Sequence, residues 1–131
     1  MLKIALITIL AVSSYLTSFT TNSFYYEADR AQYERILMPI TNYSELDSCH
    51  YPVKGGCLTA SGVIASEHTA ACPRSWKKGL KILVEGKEYV CEDYYQLGLS
   101  DRIDLWAGYG KESHEQALEF GRKRLNVIVI K

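Results

Sequence analysis

A small β barrel with one minor helix is the fold class the sequence predicts. Three observations point to it. After Gly62 the chain breaks into short runs rich in β-branched and aromatic residues. A single helix is well signalled, just before the last strand. No repeat, low-complexity segment or second domain is visible in 131 residues, a length suited to one domain with a short appendage.

The elements are expected in this order. Residues 27–37 (EADRAQYERIL) carry Ala28, Ala31, Ile36 and Leu37 among charges and read as a short helix or a linker, which Pro39 ends. Residues 40–43 look extended. Residues 44–56, rich in Ser, Asp, Pro and Gly, read as a loop. Short strands follow at 63–65, 68–71, 80–84, 87–91 and 102–106. The pair 80–84 and 87–91 forms a hairpin around the Gly-containing turn at Glu85-Gly86-Lys87. Ser113 with Gln116 three residues on is a capping box; Ala117, Leu118 and Phe120 supply an apolar stripe, and Gly121 fits the C-terminal cap. The closing run RLNVIVI, 124–130, is apolar on both faces, which predicts a strand buried on both sides.

Composition excludes several classes of function. Apolar residues make up 47% and charged residues 23%, which rules out disorder, collagen and coiled coil as the main state. Lys+Arg and Asp+Glu both number 15, so the net charge is zero and nucleic acid is not expected as a partner, because phosphate binding needs a basic excess. Ten Tyr stand against three Phe. A ring with a polar tip suits a surface that touches sugars, among other uses.

Residues 1–23 read as an export segment. Lys3 precedes the continuous apolar run 4–12 (IALITILAV), followed by small polar residues. The run falls short of the roughly 20 apolar residues of a membrane span. A cleaved signal is favoured over an uncleaved anchor, the only contact with a membrane that the sequence suggests. Residues 24–39 are then a linker or short helix, and 40–131 the folded domain, secreted or held in the cell envelope and expected to be a monomer. Four cysteines in such a chain suggest two disulfides. Three connectivities are open. Cys49–Cys57 with Cys72–Cys91 is favoured, the first closing a small loop around His50 and Gly55, the second tying two core strands. Zinc, with His50 and His68 as further ligands, is the rival. The absence of a C-x-x-C pair weakens it, so neither metal nor cofactor is expected.

Candidate chemistry sits in three stretches: Thr59-Ala60-Ser61-Gly62, Cys91-Glu92-Asp93-Tyr94-Tyr95, and Arg102-Ile103-Asp104-Leu105-Trp106. In an alternating strand Asp104 faces away from Ile103 and Leu105. Carboxylates at the mouths of barrel strands are raw material for acid catalysis on a glycosidic bond, and burial keeps a proton available near neutral pH. On residue type and spacing alone, both aspartates are more commonly caps or ion-pair partners, for example of Arg102.

The order Tyr43, Thr59-Ala60-Ser61-Gly62, Ala70-Ala71-Cys72-Pro73, Val84-Glu85-Gly86, Asp93, Arg102-Ile103-Asp104-Leu105-Trp106, Phe120-Gly121-Arg122 and the terminal Val127-Ile128-Val129-Ile130 resembles the 3D (three-aspartate) domain. That domain is also the catalytic part of the membrane-bound lytic transglycosylase A family. The resemblance covers about residues 40–131. It implies a six-stranded double-psi β-barrel with one short helix before the last strand, and cleavage of the glycan strands of peptidoglycan. It implies Asp104 as general acid and then base, Asp93 as the aspartate that tunes or orients it, and Thr59 and Ser61 along the same groove. Residue type adds Tyr94, Tyr95, Trp106 or Tyr109 as stacking platforms for sugar rings. The sequence departs from the family pattern twice. Cys72 stands where an aspartate precedes the proline, and Asp93-Tyr94-Tyr95 stands for Asp-Thr-Gly. The alternative is a glycan-binding module without turnover, as in the related expansins, or a structural envelope protein.

Overall fold

The computed structural model describes residues 32–49, 51–94 and 101–131. The expected export segment, the stretch 24–31, His50 and Tyr95 lie outside them. Residues Glu34–Lys131 form one unit. Its strands are β1 (Tyr33–Ser44), β2 (Pro52–Val53), β3 (Gly56–Cys57), β4 (Thr69–Cys72), β5 (Lys81–Val84), β6 (Lys87–Tyr94), β7 (Ile103–Gly108) and β8 (Lys123–Ile130); its helices are α1 (Glu45–Ser48) and α2 (Gly110–Phe120). Six strands make a sheet that closes in a ring, in the order β1-β7-β4-β6-β5-β8. Two pairs, β1 with β7 and β4 with β6, run parallel; β4–β7, β5–β6 and β5–β8 are antiparallel. Among the described residues no helix is long and apolar enough to cross a membrane.

The interior is built from the period-2 pattern. Every strand of the ring sends residues into one buried cluster: Met38 and Ile40, Ala70 and Cys72, Ile82 and Val84, Cys91, Ile103 and Leu105, Val127 and Val129. In so narrow a ring, side chains alone fill the lumen. β4 is covered on both faces, with all four residues of Thr-Ala-Ala-Cys buried, and only small side chains fit there. A second cluster, Tyr43, Cys57, Ala65, Ala71 and Trp106, packs the hairpin β2–β3 and its following turn onto the other face of β1, β4 and β7. Both disulfides form as favoured from the sequence, Cys49–Cys57 and Cys72–Cys91. They indicate an oxidising environment.

Several expectations need correction. Extended chain begins at Tyr33, where a short helix or linker was expected; the ladder to β7 starts only at Ile40, so Pro39 withholds no donor from it. Residues 44–56 hold α1 and β2 as well as loop. The strand expected at 63–65 is a single bridge, Leu58 to Ile64. The last strand is not buried on both sides: Val127 and Val129 are buried, whereas Asn126 is exposed and Ile128 and Ile130 are only partly covered. Helix α2 starts at Gly110 with Tyr109 as N-cap, so Ser113 lies inside the first turn. The reason is Gly108: at φ 126° it turns the chain straight from β7 into the helix, and a Cβ there would lie 2.6 Å from Ser113 Oγ. The Gly121 cap stands as expected, at φ 65°. So does the hairpin turn, where Glu85 and Gly86 both have positive φ between the paired Val84 and Lys87.

Tyr109 locks the disulfide-tied hairpin to the ring. Its hydroxyl donates to Ala65 O at 3.0 Å and accepts from the Cys57 N–H at 3.1 Å. A Cβ on Gly56 would collide with that hydroxyl and with Ile64. Gly56→Ala is therefore expected to lower stability by about 1–3 kcal/mol in urea unfolding. An unchanged midpoint would show that the hairpin is not held in this way.

Candidate functional site

A cleft of about 480 Å³ opens on the ring, lined among the described residues by parts of β1, β4, β6, β7, α1 and α2. Its polar centre is organised around Ala71 of β4. Ala71 pairs with Asp104 of β7 on one side and with Asp93 of β6 on the other. Side chains of paired residues point to the same face, so both carboxylates leave the sheet together, with backbones two strand spacings apart, about 10 Å.

Asp93 reaches that face through an irregularity. Along β6, Cys91 points into the core, and strict alternation would send Asp93 inward as well. The register with β4 shifts between Ala70 and Ala71: Ala70 pairs with Cys91 and Ala71 with Asp93, so Glu92 is the extra residue. Such a bulge re-aims the side chain that follows it. Once outside, Asp93 is fully engaged. Oδ2 accepts from the Tyr43 hydroxyl at 3.1 Å, and Oδ1 accepts from the backbone N–H of Ala60 at 3.1 Å and of Tyr94 at 3.0 Å. Burial first, and then the Asp93 charge, push the Tyr43 pKa well above its ordinary value, so the hydroxyl keeps its proton and donates.

Asp104 is placed differently. Ile103 and Leu105 on either side of it are buried in the core, and it faces the cleft with its side chain 13% exposed. Arg102 Nη2 donates to Oδ2 at 3.3 Å. Burial raises the Asp104 pKa above the usual carboxylate value; Arg102 pulls against that, and the charge of Asp47 adds to the rise. Because the folded-state pKa is raised, the stability this group contributes is complete below the ordinary value of 3.8 and is lost as pH rises through the folded value. Ionised Asp104 therefore costs stability at neutral pH. Beside it, Thr41, its register partner in β1, holds a buried Oγ1 with no hydrogen-bond partner, as does Asn42 with its Oδ1. Both atoms are sealed from solvent, and only Thr41 shares the Asp104 face, since Asn42 pairs with the core residue Leu105.

Asp47, Ser44 and His114 were not singled out as site residues from the sequence. Asp47 lines the same cleft from α1. Its Oδ2 accepts from the Ser44 N–H and from Ser44 Oγ, both at 2.9 Å; His114 Nδ1 lies 3.1 Å from Ser44 Oγ and 3.3 Å from Asp47 Oδ1. The residue types are those of a nucleophile, a base and a carboxylate, but the order is wrong. Ser44 is fully buried and its hydroxyl donates to the carboxylate rather than to the imidazole. The cluster is a latch joining α1 to α2, with a second tie from Gly110 N–H to Glu45 Oε2 at 3.1 Å. The Ser44-x-x-Asp47 spacing, which is a cap signature with an acid in the third position, was the available signal.

Of the expected site residues, Asp93, Tyr94 and Asp104 line the cleft. Thr59 and Ser61 do not. They bond each other at 3.1 Å in the turn whose Ala60 N–H holds Asp93, with Thr59 buried. Trp106 is 6% exposed and packs edge-on between Tyr43 and Tyr109, each at 5.1 Å between centroids, so it braces the wall and offers no open ring face. All four cysteine sulfurs are in disulfides, and among the described residues no group of three or more His, Cys, Asp or Glu could hold a metal ion. No protein-family model, curated protein or solved structure matches the chain.

Proposed function

We propose that this protein cleaves the glycan strands of peptidoglycan, as a three-aspartate domain with a double-psi barrel, exported to the cell envelope. Support for the fold comes from a six-stranded ring in which two parallel pairs are set among antiparallel neighbours. The reading rests on one observation: a mostly buried carboxyl, Asp104, with its pKa raised, facing a cleft large enough for sugar rings. The neutral carboxyl donates its proton to the glycosidic oxygen as the C1–O bond breaks. The resulting carboxylate then takes the proton from the C6 hydroxyl of the muramic acid residue, whose oxygen closes on C1. The product is a 1,6-anhydro ring, and Asp104 ends protonated as it began. One carboxyl suffices because an internal hydroxyl replaces water. Asp93, holding three donors, keeps the opposite side of the cleft rigid.

Mass spectrometry of soluble products from purified sacculi tests the reading. Muropeptides lighter by one water than the hydrolysed form are expected; ordinary reducing ends would indicate hydrolysis instead. A second reading is favoured by the Arg102–Asp104 contact, which works to keep the carboxylate charged: a glycan-binding module without turnover. Retention on sacculi with no released product would establish it.

The pH profile carries a further prediction. The acid must start protonated, so kcat/KM falls as pH rises through the Asp104 pKa. Arg102→Gln removes the influence that lowers this pKa and should move the falling limb to higher pH. Asp47→Asn removes one that raises it and should move the limb to lower pH. Profiles that do not move, or move the other way, would take Asp104 out of the acid role.

A further inference from the structure

The neutral net charge of the chain is not spread evenly. The connection from β4 to β5 carries Arg74, Lys77 and Lys78 and no acidic residue. Two of these cations lie over one ring: Arg74 at 5.7 Å and Lys78 at 5.2 Å from the centroid of Tyr94, itself a lining residue of the cleft. The Tyr94 backbone is held at this point, because its N–H bonds the Asp93 carboxylate. Lys78 is braced too. Its Nζ donates to Ala60 O at 2.9 Å, and the Ala60 N–H bonds the same carboxylate. An ammonium has three donors, and Lys78 makes no ion pair with a carboxylate among the described residues. The Asp93 end of the cleft thus bears a positioned, exposed positive rim beside an aromatic face.

We propose that Lys78 and Arg74 over Tyr94 form a subsite for an oxyanion carried as a substituent on the glycan. The inference rests on the peptidoglycan reading and adds to it what the enzyme recognises beyond the sugar. Two sources supply this chemistry in a cell wall, the carboxylates of the peptide stem and the phosphodiesters of a wall-linked polymer. Ammonium and guanidinium charges both attract either anion, and the Lys78 ammonium adds a point charge with donors beyond its bond to Ala60.

Co-sedimentation with three preparations of sacculi tests it: intact, stripped of peptide by an amidase, and stripped of phosphate polymer by acid. Arg74→Gln with Lys78→Gln should weaken binding to intact sacculi at least fivefold. Stripping the recognised anion should weaken wild type to the same degree and leave the double variant unaffected, which identifies the source. Lys78→Arg, which keeps the charge, should bind as wild type does. Equal binding by wild type and double variant, or a loss that is the same on all three preparations, would overturn the subsite. Product release is read in the same tubes. Release without the binding difference removes the subsite and keeps the cleavage reading; the binding difference without release does the reverse. Wild type that neither sediments with any preparation nor releases product removes both.

Discussion

Asp104→Asn is expected to abolish release of soluble muropeptides while leaving the protein folded. Asn matches Asp in shape but cannot give up or take the proton, and general acid–base catalysis by a positioned group contributes about 10²–10⁴-fold. The same substitution removes a charge that burial disfavours. Its unfolding midpoint at pH 7 should therefore equal or exceed that of wild type, and the difference should close on acidification, as the wild-type carboxyl becomes neutral. Asp93→Asn should act otherwise. Its carboxylate receives hydrogen bonds from Tyr43, Ala60 and Tyr94, so the variant should lose stability and retain part of its activity. If Asp104→Asn keeps full activity, the acid is elsewhere. If it unfolds the protein at neutral pH, the Arg102 pair is structural and the cleft is no catalytic site.

Replacing Cys72 and Cys91 together by Ala is expected to cause the largest loss of stability. The bond closes a separation of 19 residues and joins two adjacent parallel strands, and both sulfurs are buried in the interior cluster. Loop closure of this length is worth about 3 kcal/mol, and the space left by two sulfurs adds to the cost. Guanidinium unfolding should show a drop of about 3–5 kcal/mol, enough to leave a domain of this size marginal. The matched change at Cys49 and Cys57, with a separation of 8 and at the hairpin, should cost less. Equal losses would mean that the interior bond has no special place in the fold. Cys72 points into the core, so it belongs to the framework and takes no direct part in the cleft.

Much of this architecture is legible in the amino-acid sequence. Alternation in 80–84 and 87–91, with Glu85-Gly86 between them, specifies a hairpin, because a two-residue turn with positive φ admits few other chains. The position of Asp104 between Ile103 and Leu105 specifies its face, because a strand side chain has only two directions. The start of α2 and the one-sided burial of β8 are not legible, since a glycine turn and the edge of a packed layer depend on neighbours distant in sequence. Asp93 shows the limit most clearly. Its own strand pattern sends it inward; the bulge at Glu92, set by how β6 pairs with β4, brings it out beside Asp104. Asp47 joins them through the packing of a four-residue helix against α2. Local pattern thus decided which residues make strands and which way most of them face. Which carboxylates share a cleft was decided by strand register and helix docking, because those depend on contacts that close only when the ring does.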